Sequence, residues 1–354
     1  MKLSYNVGLR PWNTFGMEVQ AAALLEYDSA EELSGILADE RFAGELPLPL
    51  FPIGGGSNLL FTGDFPGTLL HSRIRFIDPL PSEGVLSDDA DCQRVRVGSG
   101  VVWDEFCEWA ATEGLWGPEN LSLIPGEAGA AAVQNIGAYG REVCELVETV
   151  ECFDLLERRS VVFPGAECRY AYRDSRFKGE WKGRYIVTAV VFRLRRDYAP
   201  VLDYGHVRAA LEKAVGPEPY TPMQVREGII AIRKDKLPDP AVTGSAGSFF
   251  RNPFVLPEQY RKVEQIAEKE GLGPVPHFLT EDGLVKIPAA WLIDKCGWKG
   301  VRRGNAGVWP VQPLVLVNAT GTATPGEILA LEQEIISSVR SRFGIVLNPE
   351  VEHI

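Results

Sequence analysis

Between Ile124 and Gly140 the chain reads IPGEAGAAAVQNIGAYG, and nine of these seventeen residues are glycine or alanine. A backbone so stripped of side chains cannot build a core of its own. It is stable only where something comes up against it: a neighbouring segment in a tight crossover, or a large flat ligand that meets exposed N–H and C=O groups. A bias sustained over this length favours the ligand, with Gln134, Asn135 and Tyr139 as the larger polar groups along the wall. A second cluster, Gly54-Gly55-Gly56-Ser57-Asn58, follows the apolar run PLPLFPI. Three glycines let backbone N–H groups approach a pyrophosphate, and Ser57 and Asn58 add donors. No Lys-Ser/Thr pair follows, so this is not a Walker A loop, and the spacing is not GxGxxG. Taken singly it reads as a plain glycine turn.

The 354 residues, 45% hydrophobic and 24% charged, suit a soluble globular protein of two or three domains. The net charge of −12 argues against a broad nucleic-acid or membrane surface, yet allows a local basic pocket. MKLSYNVGLRPWNTFG lacks the apolar core of a secretory signal, and no apolar run reaches the roughly 18 residues of a spanning helix. The expectation is a cytoplasmic monomer with no nucleic-acid or membrane partner. Six cysteines form no CxxC pair, which reads as reduced core thiols, and four scattered histidines offer neither a metal site nor a histidine-centred triad.

Strand-like and helix-like stretches are interleaved without the strict alternation of a doubly wound sheet, which points to an α+β fold. Ser29-Ala-Glu-Glu32 and Thr324-Pro-Gly-Glu327 are capping boxes, the second opening a helix with Ile328, Leu331, Ile335 and Val339 on one stripe and a stop at Gly344. Trp103 to Gly114 is amphipathic, Pro257 to Glu270 and Pro288 to Cys296 are helical, and Thr221-Pro222 starts a further helix. Arg184 to Leu194 fits a buried strand, and Gly344 to Ile354 reads as a strand. Asp78 to Asp91 reads as a solvated acidic loop.

Other polar stretches remain ambiguous from residues alone. In YAYRDSRFK, a β-like region, Arg173 can be a surface ion pair or an oriented guanidinium for a carboxylate. IRKDKLPDP and KCGWKGVRRG bring positive charge into an acidic chain, as a solvated face or a phosphate rim. Ser248, in GSAGSFFRNP, lies outside any G-x-S-x-G and has no histidine close in sequence, so a serine hydrolase fits poorly. Glu350, beside Pro349, would on composition alone be an ordinary solvated glutamate.

In order along the chain, NTFG, GGGSNLL, GLWGPENLSLIPG, QNIGAYG, YRDSRFK, KLPDP, AGSFFRNP, AAWLIDKCGWKG and NPEV resemble the UDP-N-acetylenolpyruvoylglucosamine reductases, flavoenzymes of peptidoglycan precursor synthesis. The resemblance covers nearly the whole chain. It implies a two-lobed FAD-binding domain of the vanillyl-alcohol-oxidase (PCMH) type, with lobes at 1–74 and 75–222. A C-terminal α/β substrate-binding domain would follow at 223–345, and a strand at 346–354 would return Glu350 to the active site. It implies non-covalent FAD, NADPH as co-substrate and a UDP-sugar substrate. FAD would lie along Gly54, Gly55, Gly56, Ser57, Asn58, Pro125, Gly126, Gln134, Asn135, Gly137, Ala138, Tyr139 and Gly140. Tyr204, Arg233, Lys236, Asn252 and Gln312 would hold the sugar nucleotide. VLDYGH, Val201 to His206, resembles the subtype in which a tyrosine loop folds over the substrate, with Tyr204 as that tyrosine. Arg173 and Glu350 match the residues that stabilise the charge formed on hydride addition, and Ser248 matches the proton donor. An ionised Glu350 would repel that charge, so it is expected to act as a neutral acid or through a neighbour. One position departs: many relatives carry a histidine before LVLVN, where this chain has Trp309 in GVWPVQPLVLVN. The rivals are a flavin-dependent oxidase of the same fold and a nucleotide-binding protein without catalysis.

Overall fold

The structure, a computed structural model, describes residues 1–81 and 91–354. Strands β1 (Lys2–Gly8) and β2 (Gln20–Tyr27) precede helices α1 (Ala30–Ala38) and α2 (Glu40–Glu45), then β3 (Leu50–Ile53), β4 (Leu59–Leu60) and β5 (Phe65–Ser72). The middle of the chain forms β6 (Ile77–Pro79), β7 (Cys92–Gly98), α3 (Trp103–Thr112), α4 (Ala128–Gln134), β8 (Gly137–Ala138) and β9 (Arg141–Glu142). Next come β10 (Val147–Asp154), β11 (Arg159–Pro164), β12 (Tyr185–Arg195), α5 (Val207–Val215) and α6 (Pro222–Lys236). The remainder forms β13 (Gly244–Ser248), β14 (Phe254–Val255), α7 (Pro257–Lys269), β15 (Phe278–Leu279), β16 (Val285–Lys286) and α8 (Ala289–Lys295). β17 (Arg302–Arg303), β18 (Ala306–Val308), β19 (Val315–Asn318), α9 (Pro325–Phe343) and β20 (Glu352–His353) complete it. Sheets that are mostly antiparallel, with helices grouped beside them, make an α+β fold.

Several expectations need correction. Asp78 is not in a loop but in β6, while 82–90 of that acidic stretch lie outside the described residues. Tyr170 to Lys178 is not β-like: Ala171 and Asp174 close a tight turn, and Arg176–Lys178 form a 3-10 turn. The stretch after Gly344 is not a continuous strand: Pro349 makes an isolated bridge with Phe250, and only Glu352–His353 joins a ladder. All six cysteines are unpaired, and only Cys107, Cys152 and Cys168 are buried.

The chain packs as two compact units. The first comprises Met1–Val7, Ala21–Gly55 and Pro66–Asp235. It holds one sheet in the order β1-β2-β5-β3, with β3 parallel to β5, and a second in the order β11-β10-β12-β7-β6. β12 is buried without interruption from Ile186 to Phe192, which explains its unalternating apolar sequence. Trp103, Phe106 and Phe192 pack ring against ring beneath α3. Arg226 of α6, 5% exposed, grips Asp104 of α3 through two hydrogen bonds of 2.8 and 3.0 Å. That fork carries α6 to a fixed place beside the small-residue segment.

The second unit comprises Gly8–Gln20, Gly56–Phe65 and Lys236–Ile354. Its sheets run β13-β19-β18-β17 and β14-β16-β15, and β20 pairs in parallel with β4. α9 presents the expected stripe, with Thr324 and Glu327 in a reciprocal cap and Gly344 at φ +69° closing its end. The NTFG stretch anchors this unit. Asn318 Nδ2 donates to the Phe15 carbonyl at 3.0 Å, and Ser245 N donates to Thr14 O at 2.9 Å. A Cβ on Gly244 would stand 2.2 Å from the Phe15 oxygen, so the glycine admits the crossing.

Candidate active site

In the first unit the two glycine-rich stretches meet. A Cβ on Gly55 would touch the Gly126 Cα at 3.4 Å, and one on Gly54 would lie 3.3 Å from both the Ala130 Cβ and Glu127 Oε2. Gly55 and Pro125 are exposed, and Gly54 and Gly126 half-buried. The result is an open face of bare backbone. Behind it, Glu127 turns its carboxyl away from the start of α4 and takes His71 Nε2 at 2.9 Å, both residues being buried. Gly56, assigned to the second unit, is fixed by its own fold: φ is +60°, and a Cβ would stand 1.9 Å from the Trp12 carbonyl. Ser57 and Asn58 follow it, both half-buried.

The small-residue segment resolves into α4, a left-handed stop at Asn135 with φ 46°, and the hairpin β8–β9. Gln134, Gly137, Ala138 and Tyr139 are half-buried and Gly140 exposed. Asn135 differs from expectation. It is 0% exposed; its amide donates to Glu142 Oε2 and Ala171 O at 2.8 Å, and its oxygen accepts Cys144 N at 3.1 Å. Its side chain ties α4 to the Ala171 turn rather than facing a ligand.

That turn presents Arg173. Ala171 and Asp174 exchange backbone hydrogen bonds of 3.0 and 2.9 Å, leaving Tyr172 and Arg173 at the tip. Arg173 adopts φ 55°, a left-handed conformation that costs a non-glycine residue about 1 kcal/mol or more. Its guanidinium donates to the Gly137 carbonyl, and Lys178 Nζ donates to the Arg173 carbonyl at 3.1 Å. The strain is held by both neighbours, and it aims a cation at the wall.

At the far end of the wall, Tyr139, Tyr204 and Arg233 come together. The Tyr139 and Tyr204 rings meet edge to face at 6.5 Å and 88°. The Tyr139 hydroxyl lies near enough to the Arg233 guanidinium to interact electrostatically, and burial lowers the Arg233 pKa and raises that of Tyr139. Tyr204 itself is 52% exposed, and a Cβ on Gly140 would lie 3.2 Å from its Cβ. Asn120, 0% exposed, holds both strands of this corner: its amide donates to Tyr139 O at 2.8 Å and Val201 O at 2.7 Å. Sequence reasoning passed over Asn120. An amide inside the otherwise apolar NLSLIPG stretch was its only signal.

The second unit gathers Ser248, Glu350, Asn58 and Gln312. Ser248 ends β13 opposite Val315, after a break in register at Ser245 that turns the strand. Phe249 donates its N–H to Leu314 O at 2.7 Å and accepts Glu350 N at 2.8 Å, so Ser248 and Glu350 sit on adjoining backbone. Asn58 Nδ2 donates to the Glu350 carbonyl at 3.2 Å, and Glu352 N to Asn58 O at 3.0 Å. Asn58 therefore braces Glu350 as well as flanking the glycine turn. Asn252 Oδ1 accepts Ala289 N at 2.9 Å at the start of α8. Gln312 closes the turn between Trp309 and Val315, its carbonyl accepting Val315 N at 3.0 Å. Trp309 Nε1 donates to the Lys236 carbonyl at 3.1 Å, and Lys236 leaves its own side chain exposed. Among the described residues no helix is long and apolar enough to cross a membrane.

Two sequence families match this chain: "UDP-N-acetylenolpyruvoylglucosamine reductase, C-terminal domain" over residues 239–354 and "FAD binding domain" over 21–157. A curated UDP-N-acetylenolpyruvoylglucosamine reductase from Bacteroides fragilis is 47% identical over 97% of this chain and 97% of its own length. One from Chromobacterium violaceum is 44% identical over 98% of this chain and 97% of its own. The crystal structure of the Thermus caldophilus UDP-N-acetylenolpyruvylglucosamine reductase superposes with a TM-score of 0.64 at 23% identity. That match covers 100% of this chain and 99% of that one, a likeness of fold.

Proposed function

As a member of the UDP-N-acetylenolpyruvoylglucosamine reductase family, the chain is, we propose, an FAD-dependent oxidoreductase that reduces the enolpyruvyl ether of UDP-N-acetylglucosamine enolpyruvate with NADPH. The product is UDP-N-acetylmuramate, a peptidoglycan precursor. The observation that carries this reading is the bare backbone face where Gly54–Gly55 meets Gly126–Ala130, because a Cβ at Gly54 or Gly55 would crowd it. These residues fit FAD. When bound, FAD would supply the redox chemistry, passing a hydride received from NADPH to the terminal vinyl carbon. Gly54 to Asn58 would cradle the pyrophosphate with backbone N–H groups, and Pro125, Gly126, Gln134 and Gly137 to Gly140 would line the rest.

Hydride addition moves negative charge onto the α-carbon and the attached carboxylate. Arg173 would pair with that carboxylate, Glu350 would assist as a neutral acid or through a neighbour, and Ser248 would give its proton to the α-carbon. Arg233, Lys236, Asn252 and Gln312 would hold the sugar nucleotide, and Tyr204 would fold over it. The exposure of Tyr204 beside Tyr139 and Arg233 supports that tyrosine loop. NADPH would use the same phosphate contacts in its turn. Function would divide the chain differently from packing: flavin lobes at 1–74 and 75–222, a substrate domain at 223–345, and 346–354 carrying Glu350. We read the chain as a cytoplasmic monomer, its net charge of −12 opposing self-association.

The test is a pair of stopped-flow measurements. NADPH should bleach the yellow holoenzyme, and the enolpyruvyl sugar nucleotide should restore the colour faster than oxygen does. Preferential reoxidation by oxygen would favour an oxidase, and no bleaching would leave a binding protein. FAD should also leave the denatured protein freely. The histidine that the β3–β5 register sets opposite Ile53, His71, is buried and engaged by Glu127.

Gly137 gives an independent probe of Arg173. A Cβ there would stand 2.6 Å from Arg173 Nη1, and the side chain must swing away. Gly137→Ala, assayed at saturating FAD, is expected to lower kcat about a hundredfold, since misplacing a reacting group by about 1 Å costs that much. Parental kcat would show that the Arg173 position is unimportant.

A further inference from the structure

Glu332 and His353 have no part in the roles described so far. Glu332 lies on α9 four residues after Ile328, on the apolar stripe with Leu331 and Ile335, and is 2% exposed. A carboxyl buried among apolar groups costs several kcal/mol unless it is neutral or partnered. Burial pushes Glu332 up to about 7 and draws His353 down, both toward uncharged forms. Among the described residues Glu332 Oε2 makes no hydrogen bond of good geometry, and His353 Nε2 stands 3.3 Å from it.

His353 is where this contact matters. It sits in β20 opposite Leu60, three residues beyond Glu350. Its ring centre is 6.0 Å from that of Phe249, the residue that follows Ser248 and accepts the Glu350 N–H. The imidazole thus touches the Ser248 strand through Phe249 and the Glu350 segment through the chain itself. Glu350 precedes the two-residue ladder and is tied to the Ser248 side by a short bridge, with Glu350 N donating to Phe249 O at 2.8 Å and Arg251 N to Asn348 O at 3.0 Å. An apolar residue of similar volume at 332 would pack at least as well and avoid the desolvation cost. A carboxyl there adds direction that packing cannot supply.

We propose that Glu332 and His353 are a positioning pair that steadies the short backbone bridge carrying Ser248 and Glu350. The buried carboxyl of α9 holds the imidazole, and the imidazole holds the Phe249 ring and the end of β20. This inference rests on the reading that Ser248 and Glu350 act on the substrate.

The experiment follows the two half-reactions separately in holoenzyme, with thermal midpoints measured alongside. Glu332→Leu is expected to keep or raise the midpoint and to leave flavin reduction by NADPH unchanged. Reoxidation by the enolpyruvyl sugar nucleotide should slow about tenfold. His353→Phe should behave alike, and His353→Gln, which retains a donor toward Glu332, should recover most of the rate. A merely structural pair would lower the midpoint and slow both half-reactions together; that result, or parental reoxidation in Glu332→Leu, overturns the proposal. Glu350→Gln separates the two layers. If it slows reoxidation while Glu332→Leu does not, the pairing alone fails. If it reoxidises at the parental rate, the role of Glu350 fails and the pairing falls with it.

Discussion

Ser248→Ala is expected to slow enolpyruvyl reduction about a thousandfold while flavin reduction by NADPH keeps its parental rate, when each half-reaction is followed by stopped flow. General acid catalysis by a placed side chain contributes about 10²–10⁴-fold. A hydroxyl is a weak acid, so its value lies in placement against a carbon that becomes strongly basic for a moment. The structure holds Ser248 in a fixed frame. Phe249 and Phe250 on its C-terminal side are 0% and 1% exposed, and Gly247 before it takes φ +70° with open space where a Cβ would point. Removing one oxygen leaves this frame intact, so the loss should be confined to the step that needs the proton. Equal slowing of both half-reactions would remove Ser248 from that role.

Arg173→Lys should lower kcat about 10²–10³-fold, the usual effect of deleting one donor aimed at developing charge. Lysine keeps the charge but loses the planar fork that can hold the Gly137 carbonyl and a carboxylate together. Because the interaction strengthens as charge develops, kcat and kcat/KM should fall by similar factors. A raised KM with parental kcat would make Arg173 a simple binding residue. The left-handed backbone at this position constrains the orientation of the guanidinium that carries the charge.

Regular elements with local signals were legible in the sequence. Thr324 and Gly344 marked the ends of α9, and the unbroken apolar run marked β12, because caps and burial act within a few residues. The bare wall was legible too, since small residues have few other reasons to cluster. What escaped was decided by distant partners. Asn135 looked like a ligand contact until Glu142, Ala171 and Cys144 used all its hydrogen-bonding groups. The Tyr170–Lys178 stretch looked extended because aromatics favour strands, but Asn135 and Gly137 capture its turn. Glu332 was hidden inside a stripe already counted as apolar, although its i+4 spacing from Ile328 placed it there. The roles of Arg173, Ser248 and Glu350 came from the family resemblance; no property of single residues distinguishes them.

The three-segment construction of the second unit bears on how the gene can be dissected. The C-terminal family match begins at Asp239, which invites a cut there. Such a fragment would leave behind Thr14 and Phe15, which receive hydrogen bonds from Ser245 and Asn318, and Leu59–Leu60, the ladder partner of β20. It would also lose the Asn58 amide that holds the Glu350 carbonyl. A chimera that exchanges substrate specificity between two such enzymes must therefore transplant Gly8–Gln20 and Gly56–Phe65 along with the C-terminal third, or inherit a mismatched seam beside the segment that bears Glu350.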